Sequence, residues 1–332
     1  MRQWLDLGDV PTETIERLLR VAKELEARPI RQDLAGKVLG LIFLNPSVRT
    51  LASFQAGMAQ LGGSSFVITP GQGSWAFETR RGVTMEGLEA EHVREGIPVL
   101  ASYADALGVR CFPRGVDLAE DLSEPTLRAL VNVCPKPYLN LESALSHPCQ
   151  ALADWKSLDD FGVPRSQGKF VLSWAKHPKA LPLAVPASTL QMAAQRGMQV
   201  TVLRPEEFAL PAQVMDKART LAQVSGGSVH ETSDREEAMQ GAHVLYAKSW
   251  QAPRFYGQPA EESVVRAQYP DWCVDESWFA PALPDALFMH CLPVRRNVVV
   301  KDEILDGPRS RVLPQAANRL HAQKALLLEM LS

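Results

Sequence analysis

Val38-Leu39-Gly40-Leu41-Ile42-Phe43-Leu44 runs directly into Asn45-Pro46-Ser47-Val48-Arg49-Thr50, and this junction decides the fold. The first seven residues form a continuous apolar run, which reads as a strand buried on both faces in a parallel sheet. Leu51 to Leu61 carries a helical pattern that closes at Gly62-Gly63. A strand that ends in Pro-Ser-x-Arg-Thr and opens a helix makes an anion site. The first helical N–H groups lack intrahelical partners, the dipole is positive there, and two hydroxyls and a guanidinium add donors. Ser and Thr at a helix start also serve as plain N-caps, so the stretch alone leaves both readings open.

Outward from this junction, strands and helices alternate, the pattern of a parallel sheet covered by helices. In the first half, strands are expected near Val38–Leu44, Ser65–Ile68, Ala106–Cys111 and Pro137–Asn140. Helices are expected from about Glu89 to Ala104 and from about Ser123 to Val133. The second half places strands near Phe170–Trp174, Gln199–Leu203, Ser228–Glu231, His243–Ala247 and Ala286–His290. Its helices fall near Ser188–Arg196, Pro211–Ser225 and Asp234–Met239. The expected fold is therefore α/β, with two doubly wound parallel-sheet domains, residues 1–147 and 148–312, and a cleft between them. A closing helix, 313–332, is apolar at helical spacing from Ala317 to Leu331 and is expected to pack back on the first domain. Ligands in such folds bind outside the carboxyl ends of the strands. No GxGxxG follows a strand and no GxxxxGK[ST] occurs, which disfavours dinucleotide binding and P-loop chemistry.

Composition narrows the class. A chain of 332 residues exceeds one ordinary core and suits two domains. With 46% hydrophobic and 22% charged residues, a packed core is expected rather than disorder. A net charge of −3 gives no electrostatic reason to expect nucleic acid or anionic membrane as a partner. Five cysteines without CxxC spacing argue against a disulfide framework and structural zinc. The first residues, Met1-Arg2-Gln3-Trp4-Leu5-Asp6, lack the apolar stretch of a signal peptide, and no apolar run reaches spanning length. A cytoplasmic enzyme is expected.

Four polar clusters sit at or just beyond expected strand ends. They are Ser47-Val48-Arg49-Thr50, Arg110, His147-Pro148-Cys149-Gln150, and His290-Cys291-Leu292-Pro293-Val294-Arg295-Arg296. A buried arginine needs an anionic partner, and no acid is adjacent to Arg49 or Arg110 in the chain. Together they suit a dianionic phosphate, which guanidinium groups hold through bidentate bonds. His147 and Gln150 lie on one face of a helix start, where they suit polarisation of a carbonyl.

Pro-Ser-x-Arg-Thr, His-Pro-Cys-Gln and His-Cys-Leu-Pro, in this order, resemble the aspartate/ornithine carbamoyltransferase superfamily. The resemblance reaches to Asn318-Arg319 in the closing helix. It implies transfer of a carbamoyl group from carbamoyl phosphate to an amine, with no metal or organic cofactor, in a homotrimer whose sites lie between subunits. On this resemblance Ser47, Val48, Arg49 and Thr50 cradle the phosphate and Arg319 completes its shell. Arg110 binds phosphate and carbonyl oxygens, with His147 and Gln150 near the carbamoyl group. Cys291 and the Leu292 backbone line the reaction centre. The chain departs from the family at Leu51, where a second arginine is common, and at Gln315-Ala316-Ala317, where Glu-Ala-Glu is common. Because the amine itself attacks, no nucleophilic residue is needed and Cys291 is not expected to form a covalent intermediate.

Ornithine enzymes of the family carry an acidic Asp-x-x-x-Ser-Met-Gly where this chain has Val244-Leu245-Tyr246-Ala247-Lys248-Ser249-Trp250. Lys248 repels a free α-ammonium and suits a substrate whose α-amine is acylated. This run and His177-Pro178-Lys179-Ala180-Leu181-Pro182 resemble the N-acylornithine branch, which implies a knotted chain path in the second domain. Within that branch, acetyl-type enzymes have a glutamate where this chain has Ala90, and a lysine where Arg295-Arg296-Asn297-Val298-Val299 has valine. Both departures lean toward N-succinylornithine, with N-acetylornithine as the alternative.

Several residues carry two readings. Trp75 resembles the branch's aromatic that reaches a neighbouring subunit's phosphate site; otherwise it packs on its own domain. Glu142 matches a substrate-contacting acid or is a surface carboxylate. Lys179 meets the succinyl carboxylate or is a solvated loop charge, and Arg295 joins the acylornithine-binding set. His92 reads as structural. A non-catalytic anion-binding homologue is the rival from another class, but it should have lost Arg49, Arg110, His147, Gln150 or Arg319, and all are present.

Overall fold

A computed structural model describes residues 1–332, which form two compact units. The first comprises Met1–Arg114, Ala119–Cys149 and Arg319–Ser332. The second comprises Gly115–Leu118 and Gln150–Asn318.

In the first unit the strands are β1 (Gln3–Trp4), β2 (Val38–Phe43), β3 (Ser64–Ile68), β4 (Phe77–Glu78), β5 (Glu91–His92), β6 (Ala106–Arg110) and β7 (Tyr138–Glu142). Five of them form a parallel sheet in the order β1-β7-β6-β2-β3, while β4 and β5 pair on their own. The chain moves from β2 to β3 on one side and comes back at β6 on the other. Strand order therefore reverses between β2 and β6, the position where open α/β sheets bind ligands. Leu39, Leu41 and Ile42 of β2 and Leu107 and Val109 of β6 are fully buried, as a sheet covered on both faces requires. Gly40 is needed for this packing, because a Cβ there would lie 2.5 Å from Leu107 Cδ2 and 2.7 Å from Phe66 Cζ.

The helix after β2 spans Val48–Gln60 and so starts three residues earlier than its apolar pattern suggests. The closing helix, Val312–Leu331, joins the first unit from Arg319 onward. It packs closely on Val48–Gln60, since a Cβ at Gly57 would lie 3.3 Å from Lys324 Cγ. Lys324 is buried, and its ammonium donates to Pro29 O at 2.7 Å and Gln60 Oε1 at 2.9 Å. Two expected helices are modified. That from Glu89 is Val93–Ser102, because Glu91 and His92 pair with β4 instead. That over Ser123–Val133 is Pro125–Val131, preceded by Glu124 in the left-handed region at φ 55°.

The second unit has β8 (Lys169–Trp174), β9 (Gln199–Leu203), β10 (Ser228–Thr232), β11 (Val244–Lys248) and β12 (Leu287–Met289). They form a parallel sheet ordered β10-β9-β8-β11-β12. Order reverses between β8 and β11, so the second switch point is flanked by the segments after Trp174 and Lys248. The Ala175 amide donates to Lys248 O at 3.2 Å across it. Every residue of the helix Ala184–Gln195 is buried, which makes it a core helix rather than an amphipathic one.

Candidate active site

At the first switch point the two strand-end segments are tied together. The Leu44 amide donates to Arg110 O at 3.0 Å, and the Phe112 amide donates to Asn45 Oδ1 at 2.7 Å. Ser47 is the N-cap, its hydroxyl accepting from the Thr50 amide at 3.4 Å. Val48, Arg49 and Thr50 are thus the first helical turn, where amide donors and dipole favour an anion. Val48 is exposed and Arg49 half-buried, whereas Thr50 is buried. Arg319 from the closing helix reaches the same turn, with Nη2 donating to Thr50 Oγ1 at 3.1 Å. Arg319 can only donate, so the Gln323 carboxamide turns its oxygen to Arg319 Nη2, 2.8 Å away, and its nitrogen to Ser53 Oγ.

Arg110 has an acid after all. The register of β6 on β7 sets it opposite Glu142, and the two side chains form a buried ion pair. The expectation that Arg110 lacks a nearby carboxylate fails because the partner comes from the adjacent strand, 32 residues away. Glu142 is buried, so the surface-carboxylate reading falls too. Arg49, unlike Arg110, is half-buried. The Arg110 guanidinium lies over the Phe112 ring, 4.4 Å from its centroid, and its buried Nε carries no hydrogen bond.

His147 Nε2 lies 3.3 Å from Glu142 Oε2. The turn that delivers His147 is held by Asn140, whose amide donates to Ser143 Oγ at 2.9 Å, and by Glu124, which accepts from the Leu145 amide at 2.6 Å and Ser143 Oγ at 2.8 Å. Neither residue stands out in the sequence. Burial pushes the Glu124 carboxyl above its ordinary range, against the pull of these two donors. Burial also pushes the Cys149 thiol up to about 12, which makes it a packed apolar group.

At the second switch point Lys248 is buried at the end of β11. Arg266 fixes the segment after it, donating to Ser249 Oγ at 3.0 Å and Trp250 O at 2.6 Å, with its charge paired to Glu262. Trp250 in turn accepts from Trp174 Nε1 at 3.0 Å. Arg295 Nε donates to His177 Nε2 at 3.1 Å. The Nδ1 side faces Lys179, with its carbonyl oxygen at 2.9 Å and its amide nitrogen at 3.1 Å; because arginine cannot accept, the neutral ring takes the Arg295 bond only with its proton on Nδ1, which then donates to the carbonyl and gives up the amide contact. Burial, then the charges of Lys248, Arg295 and Arg266, hold the His177 pKa below its usual value, and the Lys179 carbonyl opposes them. The Lys179 side chain is exposed; its contribution here is the carbonyl. With Arg266 paired to Glu262, the remaining charges around His177 are those of Lys248 and Arg295, and these suit carboxylates.

Cys291 is buried, and Leu292 sits at φ 57° ahead of a cis bond to Pro293, its amide donating to His290 Nδ1 at 2.9 Å. Gln150 donates from Nε2 to Asp154 Oδ1 at 2.8 Å. In the first unit, Trp75 is 60% exposed, and its indole N–H donates to Glu91 Oε2 at 2.6 Å. Ala90 is exposed in the adjoining loop. His92 is structural as expected, capping the helix Val93–Ser102 by accepting from the Arg94 amide at 3.1 Å.

Residues 2–159 match the carbamoyl-P binding domain of the aspartate/ornithine carbamoyltransferases, and residues 184–330 match their Asp/Orn binding domain. The chain belongs to this family. It is a carbamoyltransferase, and its two parallel-sheet units are those of the family fold. It is 39% identical over 330 residues to the N-acetylornithine carbamoyltransferase of Xanthomonas campestris pv. campestris, covering 98% of this chain and 97% of that one. It is 35% identical over 285 residues to the N-succinylornithine carbamoyltransferase of Bacteroides thetaiotaomicron, covering 85% and 84% respectively. Among solved structures, it superposes with TM-score 0.96 at 39% identity on an N-acetyl-L-ornithine transcarbamylase in which one glutamate is replaced by alanine. That protein is complexed with carbamyl phosphate and N-succinyl-L-norvaline, and the match covers 99% of this chain and 100% of that one. No helix of this carbamoyltransferase is long and apolar enough to cross a membrane.

Proposed function

We propose that this carbamoyltransferase moves the carbamoyl group of carbamoyl phosphate to the δ-amine of N-succinyl-L-ornithine, giving N-succinyl-L-citrulline and phosphate. The observation that carries the acylornithine reading is buried Lys248 among Arg295, Arg266 and His177 at the second switch point. A free α-ammonium is repelled there, whereas an acylated α-amine brings only carboxylate charge.

The chemistry needs no covalent intermediate. The neutral δ-amine attacks the carbamoyl carbon, the C–N bond forms, the C–O bond to phosphate breaks with its electron pair going to the phosphate oxygen, and the departing phosphate takes the proton that the amine loses. Arg110 and His147 stabilise charge on the carbonyl oxygen, while Ser47, Val48, Arg49, Thr50 and Arg319 hold the leaving phosphate. Arg110 Nε, buried without a hydrogen bond, supports a ligand contact at that residue.

The succinyl preference rests on Ala90. A relative of 39% identity accommodates N-succinyl-L-norvaline in a variant whose glutamate has become alanine. On the branch resemblance this chain carries alanine at that place naturally. The acetyl reading is favoured by the higher identity to the N-acetylornithine enzyme, 39% against 35%. Competition among ornithine, N-acetylornithine and N-succinylornithine in a carbamoyl transfer assay decides between them. We further propose a homotrimer in which Trp75 serves a neighbouring subunit. Its support is the two loops on either side of β4, which expose Trp75 at 60% and Leu88 at 95% in the single chain.

A further inference from the structure

Gln323 lies in the first unit on the closing helix, one turn beyond Arg319, and is fully buried. Its carboxamide faces the helix Val48–Gln60. The oxygen accepts from Arg319 Nε at 3.1 Å and from Nη2 at 2.8 Å, and the nitrogen donates to Ser53 Oγ at 2.5 Å. Ser53 carries the chain of bonds onward, its hydroxyl donating to Arg49 O at 2.5 Å. Arg319 Nη2 meanwhile donates to Thr50 Oγ1 at 3.1 Å. A closed circuit therefore joins an i, i+4 pair on the closing helix, Arg319 and Gln323, to the first turns of the helix that opens at Ser47.

Chemistry sets every direction in this circuit. A guanidinium has donors only, so Arg319 decides which end of the amide it meets. The amide nitrogen then donates to Ser53, which accepts it and directs its own proton to the Arg49 carbonyl. Bonds from both Nε and Nη2 hold one edge of the guanidinium, and Thr50 holds Nη2 from the other helix. A guanidinium anchored along an edge keeps its plane fixed, which is the condition for meeting an oxyanion in fork geometry. We infer that Gln323 is a positioning residue for carbamoyl phosphate: it fixes the Arg319 plane against the Ser47–Thr50 turn and, through Ser53, ties that plane to the Arg49 backbone. This rests on phosphate binding at that turn, as proposed above. The neighbouring Lys324 supplies a contrast within the same pair of helices. Its ammonium donates to Leu25 O, Pro29 O and Gln60 Oε1, and none of these belongs to the turn.

The test reads the KM for each substrate, together with Tm, in Gln323→Leu, Arg319→Ala, the double variant and Lys324→Met. Gln323→Leu should raise the KM for carbamoyl phosphate about tenfold, the weight of a hydrogen bond to a charged group, and leave that for the acylornithine within about twofold. On the Arg319→Ala background the same substitution should add no more than about twofold, because Gln323 acts through Arg319. Lys324→Met should lower Tm and leave both KM values as in wild type, which separates positioning from helix packing. A folded Gln323→Leu protein with unchanged KM for carbamoyl phosphate, losses that multiply with those of Arg319→Ala, or an equal rise in Lys324→Met overturns the inference. Should Gln323→Leu fail to fold, Gln323→Glu takes its place at nearly the same shape. Its carboxylate still accepts from Arg319 but cancels the charge and cannot donate to Ser53, so KM for carbamoyl phosphate should rise about tenfold or more. A wild-type KM in that variant also overturns the inference. An Arg319→Ala protein with wild-type KM for carbamoyl phosphate sinks the proposed phosphate shell itself; an impaired Arg319→Ala beside an unimpaired Gln323→Leu sinks only the role of Gln323.

Discussion

Glu142 neutralises Arg110 across the adjacent ends of β7 and β6, with each side chain only 9% exposed. A buried pair of this kind costs about 3–5 kcal/mol to break from one side, because the remaining charge is left uncompensated. An arriving phosphate competes with Glu142 for the same guanidinium. Glu142→Gln should therefore lower the Tm of the ligand-free protein. Carbamoyl phosphate should then raise the Tm of the variant more than that of wild type, since the anion restores the missing charge. Thermal denaturation with and without saturating carbamoyl phosphate measures both effects. Equal ligand shifts in the two proteins would separate Arg110 from the phosphate site.

Arg49 occupies the first turn after the Ser47 cap and is half-buried. Arg49→Ala removes a charge-assisted contact to phosphate, a loss of about 1.5–3 kcal/mol in kcat/KM for carbamoyl phosphate. Stability should change little, because the residue faces partly outward. Initial rates at subsaturating carbamoyl phosphate test this, and near-wild-type turnover there removes Arg49 from the site.

His177 offers a pH signature. Its pKa is held below the usual 6.5, so at neutral pH the ring is uncharged and Nε2 accepts from Arg295. Stability and geometry that depend on the neutral ring are present above that pH and are lost as pH falls through the folded-state pKa. Protonation removes the acceptor and frees Arg295. The KM for the acylornithine should thus be flat above about pH 6.5 and rise below it. His177→Ala should raise KM at neutral pH and abolish that acid limb. A limb that survives the substitution belongs to another group.

Subunit mixing tests the proposed trimer. Trp75→Ala and Arg110→Ala are each expected to be inactive, but mixed under exchange conditions they should recover activity through hybrid sites. Absence of recovery assigns Trp75 to the site of its own chain.

The β2 junction was legible because a continuous apolar run and a helical period are local signals. The start of its helix was not, because Val48, Arg49 and Thr50 carry no apolar period and serve the site instead. The Arg110–Glu142 pair depends on β6–β7 register, with an irregularity between Val109 and Arg110, and sequence spacing does not encode that. Glu124 escaped notice for a related reason. Its left-handed backbone ahead of Pro125 divides a segment that looks like one helix, and its carboxyl is spent on the turn at Ser143 and Leu145. Gln150 and Asp154, by contrast, were visible as an i, i+4 pair on one helix, which is a signal that could have been used.

Ala90 tests the acyl preference most sharply. It lies exposed in the loop before β5, and the succinyl reading requires it to border the acyl end of the substrate. Ala90→Glu would set a carboxylate against the distal carboxylate of a succinyl group. At an effective dielectric near 20, two like charges about 4 Å apart repel by roughly 4 kcal/mol. Water and salt reduce that figure, yet even about 1.4 kcal/mol is tenfold in specificity. N-acetylornithine has no distal charge and should lose far less. The ratio of kcat/KM for the two substrates, taken in wild type and variant at one pH and salt, should therefore move toward N-acetylornithine by about tenfold or more. An unchanged ratio removes Ala90 from the acyl pocket. A wild type that already prefers N-acetylornithine overturns the succinyl assignment, because the charge argument then has no substrate carboxylate to act on.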